Sequence, residues 1–237
     1  MKNISAKNFR NVVSNVSIAI MLIFLFSITY LGGAVGVFST SNFEAIYNGN
    51  RSSNNVSIMI NVYMGSEFIP SILETLKKHN AKATFFVGGV WVSKNSDLLK
   101  NIDENGHEIG NHGYWHKDHK NISEQKNQEE MYLNHKLVKS VINKDMLLFA
   151  PPSGSYSQTT LKVAASLGYK TIMWTKDTID WRDQDETLIY NRATKNPCGG
   201  DLILMHPTQS TTKTLEKIIE FYINKGYKLT TVSENIS

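Results

Sequence analysis

HEIGNHGYWH, residues 107–116, is the segment from which the fold and the chemistry of the chain are most directly inferred. It predicts a short strand, apolar at Ile109, that runs into a glycine-containing turn. The turn presents His112 and His116, two imidazoles four residues apart, where the chain leaves regular structure. Two neutral imidazoles at this spacing can face one divalent ion, because borderline-soft metals such as Zn²⁺ favour nitrogen ligands. The spacing alone does not establish a metal site in a chain with seven histidines.

Outward from this segment, short apolar strands alternate with amphipathic helices. Strands are predicted at 56–62, 83–87, 107–111, 147–150, 171–175, 201–206 and 228–232, and helices at 67–79, 95–105, 123–143, 158–167, 186–194 and 214–224. Alternation of this kind produces parallel strands with helices outside. We therefore predict an α/β fold, a distorted (β/α)7 barrel, with an open doubly wound sheet as the alternative.

Polar residues are concentrated where the predicted strands end. In barrels of parallel strands, active-site residues lie at the C-terminal ends of the strands. The residues found at those places are His112 and His116, the run Ala150, Pro151, Pro152, Ser153 and Gly154, the run from Asp177 to Trp181, and His206. Their convergence on one rim predicts a functional pocket.

The N-terminal part of the chain has the composition of a membrane segment. Residues 16–38 are apolar or small, and the run is long enough to cross a bilayer as a helix. Lys2, Lys7 and Arg10 precede it without an acidic residue. By the positive-inside rule we expect residues 1–15 to be cytoplasmic and the folded part to lie outside the cell membrane as a single-pass protein.

The rest of the chain is predicted to be a Ser- and Asn-rich linker at 39–55 and one folded domain at 56–237. The small residues at 32–34 leave a second possibility open, a cleaved signal peptide and a secreted domain. Either way, the domain is expected to be exported.

Charge and cysteine content limit the partners and the compartment. The three cations of the N-terminal segment account for most of the net charge of +4, so we expect no nucleic-acid partner. Cys198 is the only cysteine, so an exported domain must be stable through its core alone, which suits a bacterial cell envelope. The sequence does not indicate an oligomeric state.

Four motifs, in order, resemble the NodB-homology polysaccharide deacetylases, carbohydrate esterase family four. They are KATFFVG at 82–88, GHEIGNH at 106–112, DTIDW at 177–181 and GDLILMHP at 200–207, and the likeness extends over 56–236. The loop APPSGSY at 150–156 is similar to an exported, sporulation-associated branch of the family. The resemblance implies that family's deformed barrel and a metal-dependent hydrolysis of N-acetyl groups from an envelope or chitin-like glycan, such as peptidoglycan.

The resemblance also implies roles for individual residues. In the family's scheme an Asp and two His hold the metal, a second Asp takes the proton from the attacking water, and a late His protonates the leaving amine. His112 and His116 match the two metal histidines, and Zn²⁺ is the ion expected. His206 matches the general acid, and Leu204 is expected to line the pocket for the acetyl methyl group.

A carboxylate is expected to orient and charge the imidazole of His206. Asp180 is the first choice for it and Asp177 the alternative; either one is also a common type of turn cap. Aromatic residues at the rim are candidate platforms for sugar stacking, although such residues are often ordinary packing. The predicted substrate-binding set is Tyr63, Tyr114, Trp115, Pro151, Pro152, Ser153, Gly154, Trp181 and Leu204.

The first and third motifs depart from the family's pattern. The family has Thr or Ser, Phe, Asp, Asp, Gly where this chain has NVYMG at 61–65, so Tyr63 replaces the base and Met64 replaces the metal Asp. Ala150 replaces the Arg that balances the base. The loss of the Arg agrees with the loss of the base carboxylate, because a buried Arg beside an uncharged Tyr lacks a partner.

These replacements affect both halves of the expected chemistry. Removing a general base typically lowers the rate by roughly 10²–10⁴. A site with two histidines alone also holds an ion weakly, since catalytic zinc sites usually have three protein ligands. Glu67, Asp118 and His119 are the residues able to supply a third ligand if their loops fold inward.

Two functions therefore remain open. The first is a metal-dependent amide hydrolase on N-acetylated envelope glycan, with conventional activity in doubt because of Tyr63 and Met64. The second is a catalytically inactive glycan-binding protein in envelope or spore formation.

Overall fold

The computed structural model describes residues 6–32 and 43–237. The chain divides into two compact units, Met1–Asn42 and Phe43–Ser237. In the first unit, helix α1 spans Ala6–Gly32. Its segment Arg10–Ser27 is long and apolar enough to cross a membrane, a property that signal sequences share. Residues 1–5 of the predicted cytoplasmic segment, 33–38 of the predicted anchor and 39–42 of the predicted linker lie outside the described residues.

The second unit is built on an eight-stranded parallel sheet. Its strands are β1 (Asn55–Val62), β2 (Ala83–Val87), β3 (Glu108–Asn111), β4 (Leu148–Phe149), β5 (Lys170–Thr171), β6 (Lys176–Asp177), β7 (Leu202–Met205) and β8 (Lys228–Leu229). The order across the sheet is β5-β4-β3-β2-β1-β7-β6, and β8 pairs with β1. Parallel strands wrapped by helices confirm the predicted α/β class.

Helices cover the outer face of the sheet. They are α2 (Ile69–Lys78), α3 (Gly89–Lys94), α4 (Ser96–Glu104), α5 (Glu124–Ile142), α6 (Gln158–Ser166), α7 (Glu186–Thr194), α8 (Gln209–Asn224) and α9 (Val232–Asn235). The predicted helix at 214–224 begins earlier, at Gln209, because the hydroxyl of Thr208 accepts a hydrogen bond from Thr211 N and caps the first turn. Helices α3 and α9 are additional to the prediction.

The two faces of β1 belong to different apolar clusters. Ile58, Ile60 and Val62 lie in the large core between sheet and helices, whereas Met59 lies in a smaller cluster. The members of the smaller cluster are Met59, Phe86, Leu148, Ala150, Ile172, Leu202 and Val232. Because side chains alternate along a strand, this second cluster fills the concave face of a curled half-barrel.

The barrel is open between β5 and β6, which lie at opposite edges of the sheet. The single strand predicted at 171–175 is therefore wrong. Residues 172–175 cross from one edge to the other, so Ile172 N bonds Phe149 O at 2.8 Å while Thr175 N bonds Leu202 O at 3.0 Å. The apolar run that predicted a strand is apolar because it packs inside the half-barrel.

From Phe43 onward, the segment predicted as a linker lies on the domain. Ile46 forms a parallel bridge with Ile172, and its side chain packs against the concave-face cluster. Further along, Gly49 N donates to Gly200 O at 2.7 Å. A Cβ at Gly49 would lie 2.3 Å from Asn235 Oδ1, so this close approach requires glycine. The backbone groups that a free linker leaves to water are hydrogen-bonded here.

Candidate functional site

A cavity of about 240 Å³ opens at the C-terminal ends of the strands. Its wall combines imidazole, phenol, indole, carboxamide and aliphatic side chains. The residues that line it are Asn61, Tyr63, His112, His116, Ser153, Trp174, Asp177, Trp181, Leu204 and His206. The rim predicted from the strand ends thus brings together three histidines and an aspartate in one pocket.

His112 is held in a fixed orientation at the end of β3. Its side chain is buried, and Nδ1 lies 2.8 Å from the carbonyl oxygen of Ala150. Because that oxygen can only accept, Nδ1 carries the hydrogen and Nε2 keeps a free lone pair. Burial, with the neighbouring His116 as the next cause, lowers the pKa of His112 well below its ordinary value. His112 is therefore a neutral nitrogen donor at neutral pH.

His116 follows on a turn whose backbone is in the left-handed region, with φ 57°. The centroids of the His112 and His116 rings lie 5.1 Å apart. Burial lowers the pKa of His116 as well, and so does the nearby His206. The two predicted metal histidines thus share one corner of the cavity as uncharged rings.

A buried carboxylate behind this turn holds its backbone. Glu130 Oε2 accepts hydrogen bonds from Tyr114 N at 2.8 Å and Trp115 N at 2.9 Å. Burial raises the pKa of Glu130, while these backbone donors oppose the shift. Glu130 was not among the predicted site residues, although its spacing from Asn127 and Asn134 on one face of α5 is a polar stripe that could have indicated it.

The polar stripe on α5 continues to β3. Asn134 Nδ2 donates to Val87 O at 2.7 Å and to Asn111 Oδ1 at 2.8 Å. Asn111 Nδ2 in turn donates to Met131 O and to the hydroxyl of Tyr169, each at 2.8 Å. This buried network ties the strand that carries His112 to the helix behind it.

The opposite side of the cavity holds the predicted acid. His206 Nδ1 lies 2.8 Å from Asp180 Oδ1, and His206 N donates to Asp180 Oδ2 at 2.6 Å. The hydroxyl of Thr211 also donates to Asp180 Oδ2. Of the two predicted carboxylates, Asp180 is the one against His206. Asp177 lines the cavity and accepts a hydrogen bond from Ile179 N at 2.9 Å, which closes a local turn.

Tyr63 and Met64 stand where the resemblance places the two missing carboxylates. The ring of Tyr63 packs on His116, with centroids 4.0 Å apart. Burial, and then the charge of Asp180, raises the pKa of Tyr63, so its phenol stays protonated and is no base at neutral pH. Met64 is 53% exposed and is not among the residues that line the cavity.

A third protein ligand for an ion at His112 and His116 is missing among the described residues. Within that part of the chain, the one set of three His, Cys, Asp or Glu ligand atoms within 4.8 Å of one another is His79, Glu216 and Glu220, none of which lines the cavity.

None of the three candidate third ligands lines the cavity. Glu67 is exposed. Asp118 accepts from the hydroxyl of Ser155, and His119 Nδ1 hydrogen-bonds Asn127. The residues present therefore do not fit a three-ligand catalytic metal site.

Ala150 stands where the resemblance places the family's Arg, so this position carries no positive charge. It is fully buried within the concave-face cluster. Its nitrogen donates to Asn111 O and its oxygen accepts from His112. The backbone of Ala150 thus helps to orient His112.

The predicted substrate-binding residues divide into two groups. Those that line the cavity are Tyr63, Ser153, Trp181 and Leu204. Those that do not line it are Tyr114, Trp115, Pro151, Pro152 and Gly154. In the second group, the rings of Tyr114 and Trp115 lie 4.5 Å apart, and Trp115 is 43% exposed beside the turn of His116. Asn61 and Trp174 line the cavity without having been predicted to do so.

A half-barrel of parallel strands, with this set of histidines at its mouth, agrees with the comparison of the sequence with protein families. The family model for polysaccharide deacetylases matches residues 48–172. The chain belongs to the polysaccharide deacetylase family. Deacetylases of this family are generally metal-dependent.

Two sequence relatives match the chain over most of its length. It is 40% identical over 191 residues to the uncharacterised protein YlxY of Bacillus subtilis, covering 81% of this chain and 60% of that protein. It is 34% identical over 173 residues to a peptidoglycan-N-acetylglucosamine deacetylase of Bacillus cereus, covering 70% of this chain and 81% of that enzyme. The chain thus spans less than two thirds of YlxY.

Solved structures of a pseudoenzyme in this family are similar to the chain. A CE4 family pseudoenzyme from Bacillus anthracis has 37% sequence identity and a TM-score of 0.80, covering 82% of this chain and 69% of that one. A mutant of the same pseudoenzyme, described as having restored enzymatic activity, gives a TM-score of 0.80 at 35% identity, covering 82% of this chain and 72% of the mutant. The deacetylase fold is therefore shared with both active and inactive proteins.

Proposed function

We propose that this chain binds N-acetylated cell-envelope glycan, such as peptidoglycan, in the mouth of its half-barrel and does not deacetylate it at a conventional rate. The observation that carries the proposal is the pair formed by Tyr63 and His116. The centroid of the Tyr63 ring lies 4.0 Å from that of His116, and Tyr63 stands where the family resemblance places the base carboxylate. The glycan-facing cavity persists although the hydrolytic half of its chemistry is lost.

Several retained features support binding. The cavity keeps an aliphatic wall at Leu204, and indole rings at Trp174 and Trp181. Trp181 is 55% exposed at the rim, where a sugar ring can stack on it. One relative is named as a peptidoglycan-N-acetylglucosamine deacetylase and another as a peptidoglycan-N-acetylmuramic acid deacetylase. A pseudoenzyme shares the fold of this chain at TM-score 0.80.

Placement at the membrane is part of the proposal. Helix α1 supplies an apolar segment at Arg10–Ser27, and the cations that precede the predicted anchor favour a cytoplasmic N-terminus. We place the domain outside the cell membrane as a single-pass protein in envelope or spore formation. Release as a secreted domain by cleavage after α1 is the alternative that N-terminal sequencing of the exported protein would reveal.

A binding experiment with two forms of one polymer tests the proposal. The full-length chain in mild detergent is mixed with insoluble peptidoglycan, either fully N-acetylated or chemically N-deacetylated, and the bound fraction is measured by sedimentation. We expect retention on the acetylated polymer and little on the other. Equal retention on both, or on neither, would contradict the proposal.

A second function is favoured by the pair of His206 and Asp180. Their 2.8 Å hydrogen bond is the acid half of the family's machinery and is intact. A slow amide hydrolase that uses this acid together with an unconventional water activation is therefore the alternative. A measurement of acetate release distinguishes this hydrolase from a binding protein, because binding alone does not produce acetate.

A further inference from the structure

Asn61 has the least satisfied buried carboxamide in the described part of the chain. Its residue is 2% exposed and lines the cavity. Oδ1 has no hydrogen-bond partner, and Nδ2 donates to none of the described residues. The other buried asparagines, Asn111, Asn127, Asn134 and Asn235, each donate through Nδ2 to a protein acceptor.

The position of Asn61 on β1 places its side chain on the face of the strand that lines the cavity. It follows Met59 by two residues and precedes Tyr63 by two, so these three side chains share the concave face of the sheet. Val62 and Ile60, between them, pack outward in the large core. The unpaired carboxamide therefore lies deeper in the cavity than Tyr63.

A buried amide requires a hydrogen-bond partner. A buried donor or acceptor without a partner typically destabilises a fold by about 1–3 kcal/mol, whereas an apolar side chain of similar shape does not. Met59, two residues earlier on the same face of β1, shows that this face of the strand accepts an apolar residue. A group that enters the cavity and hydrogen-bonds Asn61 removes this penalty.

We infer that Asn61 anchors an intact N-acetyl group of the glycan, hydrogen-bonding its amide and thereby selecting acetylated over deacetylated sugar. The inference rests on the proposed function and names the residue that gives it specificity. A carboxamide donates and accepts at once, as the amide of an acetamido group does. Asn61 can donate to the acetyl oxygen or accept from the amide hydrogen.

The remaining wall favours a neutral amide over an anion. Among the described residues that line the cavity there is no lysine or arginine, and Asp177 supplies a negative charge. Leu204 offers an apolar surface of the kind that a methyl group requires. Cavities for drug-sized ligands measure roughly 300–1,000 Å³. The smaller cavity of about 240 Å³ suits one sugar substituent.

The test compares Asn61→Leu with the unaltered full-length chain in mild detergent. Calorimetric titration uses the tetrasaccharide of N-acetylglucosamine, its fully N-deacetylated counterpart, and sodium acetate as an anionic competitor. We expect the Asn61→Leu chain to bind the acetylated tetrasaccharide at least about tenfold more weakly, with Tm unchanged or raised. Acetate should not displace the tetrasaccharide from the unaltered chain.

Asn134→Leu is the matched control, because Asn134 is buried but hydrogen-bonded to Val87 O and Asn111 Oδ1. It should lower Tm by about 2–4 °C or more, since each lost kcal/mol shifts Tm by that amount in a domain of this size. If Asn61→Leu does not fold, Asn61→Val, whose side chain has no hydrogen-bonding group, takes its place in the titration.

The outcomes separate the two proposals. An Asn61 variant that keeps full affinity for the acetylated tetrasaccharide, or loses Tm as Asn134→Leu does without losing affinity, overturns the role of Asn61 and leaves the proposed function standing. No binding of either tetrasaccharide by the unaltered chain overturns the proposed function and this inference with it. A tenfold loss of affinity without a loss of Tm supports the inference.

Discussion

The ring of Tyr63 packs on the ring of His116, with centroids 4.0 Å apart and planes inclined by 34°. The same phenol lies within 6.2 Å, centroid to centroid, of the rings of His112 and His206. One aromatic residue thus contacts or faces every imidazole of the cavity. Tyr63 occupies the position that the family resemblance assigns to a carboxylate. A carboxylate there could favour the charged form of a neighbouring imidazole, orient that ring or coordinate an ion, and a protonated phenol does none of these as well.

Restoring the lost charges should restore turnover. We expect the combined variant Tyr63→Asp, Met64→Asp and Ala150→Arg to release acetate from N-acetylglucosamine oligosaccharides, with a gain of roughly 10²–10⁴ over the unaltered chain. The combination is required because the new base, the new metal ligand and the balancing cation depend on one another. Enzymatic measurement of acetate over time, with added Zn²⁺, is the assay.

The single variants are the controls for this restoration. Tyr63→Asp alone places a carboxylate near Asp180 without a balancing cation, so we expect little or no turnover from it. If no combination of the three changes produces acetate, the loss of activity has a cause other than these residues. A single change that matches the combination would show that the other two changes contribute nothing to turnover.

Metal content should follow the number of protein ligands. With two histidines and no third donor among the described residues, the purified chain is expected to hold less than one equivalent of Zn²⁺ after dialysis. Met64→Asp should raise the retained metal, and His112→Ala with His116→Ala should abolish what remains. Elemental analysis by mass spectrometry measures all of these. Undiminished stoichiometric metal in the double alanine variant would remove the two histidines as ligands.

Glu130 should stabilise the turn that carries His116. Its carboxylate accepts from two backbone N–H groups, so Glu130→Leu, which has no acceptor, should lower the free energy of unfolding by about 1–3 kcal/mol. Glu129→Leu, one residue earlier on α5, is the matched control. Its surface pair with Lys126 is worth about 0–1 kcal/mol. Urea titrations that give equal losses for both variants would contradict the role assigned to Glu130.

Stability should fall as the pH is lowered toward 4. Burial, and then the charge of Lys82, lowers the pKa of His107 to about 4, while its ordinary value is 6.5. Between these values the unfolded chain binds a proton that the folded chain does not, so folding loses up to about 1.4 kcal/mol per pH unit. Above pH 6.5 His107 is neutral in both the folded and the unfolded chain, so this loss of stability is absent. His119, whose pKa burial also lowers to about 4, adds to the same trend.

The variant His107→Gln isolates one of these two histidines. Its amide oxygen can accept the hydrogen bond that Nδ1 of His107 accepts from Ala83 N. Urea titrations between pH 7.5 and 4.5 should show a smaller dependence of the unfolding free energy on pH than in the unaltered chain. An identical slope would mean that His107 titrates normally.

Much of the site follows from local sequence, because the strands are short and each ends in a distinctive residue. The C-terminal ends of β3 and β7 place His112 and His206 at one rim whatever the details of the sheet. The hydrogen bond between Asp180 and His206 also agrees with expectation. The placement of these residues could be predicted from the strand register and the direction of the chain alone.

Other features depend on contacts between residues distant in sequence, and no local pattern indicates them. The bridge from Ile46 to Ile172, and the crossing at residues 172–175, follow from which edge of the sheet remains open. An apolar run that packs inside a half-barrel has the same composition as a buried strand. Likewise the unpaired carboxamide of Asn61 is apparent only when its neighbours on the concave face are known.

Acetate release by the unaltered full-length chain tests the central claim most directly. N-acetylglucosamine oligosaccharides and purified peptidoglycan are incubated with the chain and Zn²⁺, and free acetate is quantified beside the His206→Ala variant. Because the carboxylates are replaced by Tyr63 and Met64, we predict no release above that of the variant, although the glycan still binds. Robust release by the unaltered chain that is lost in His206→Ala would contradict the account.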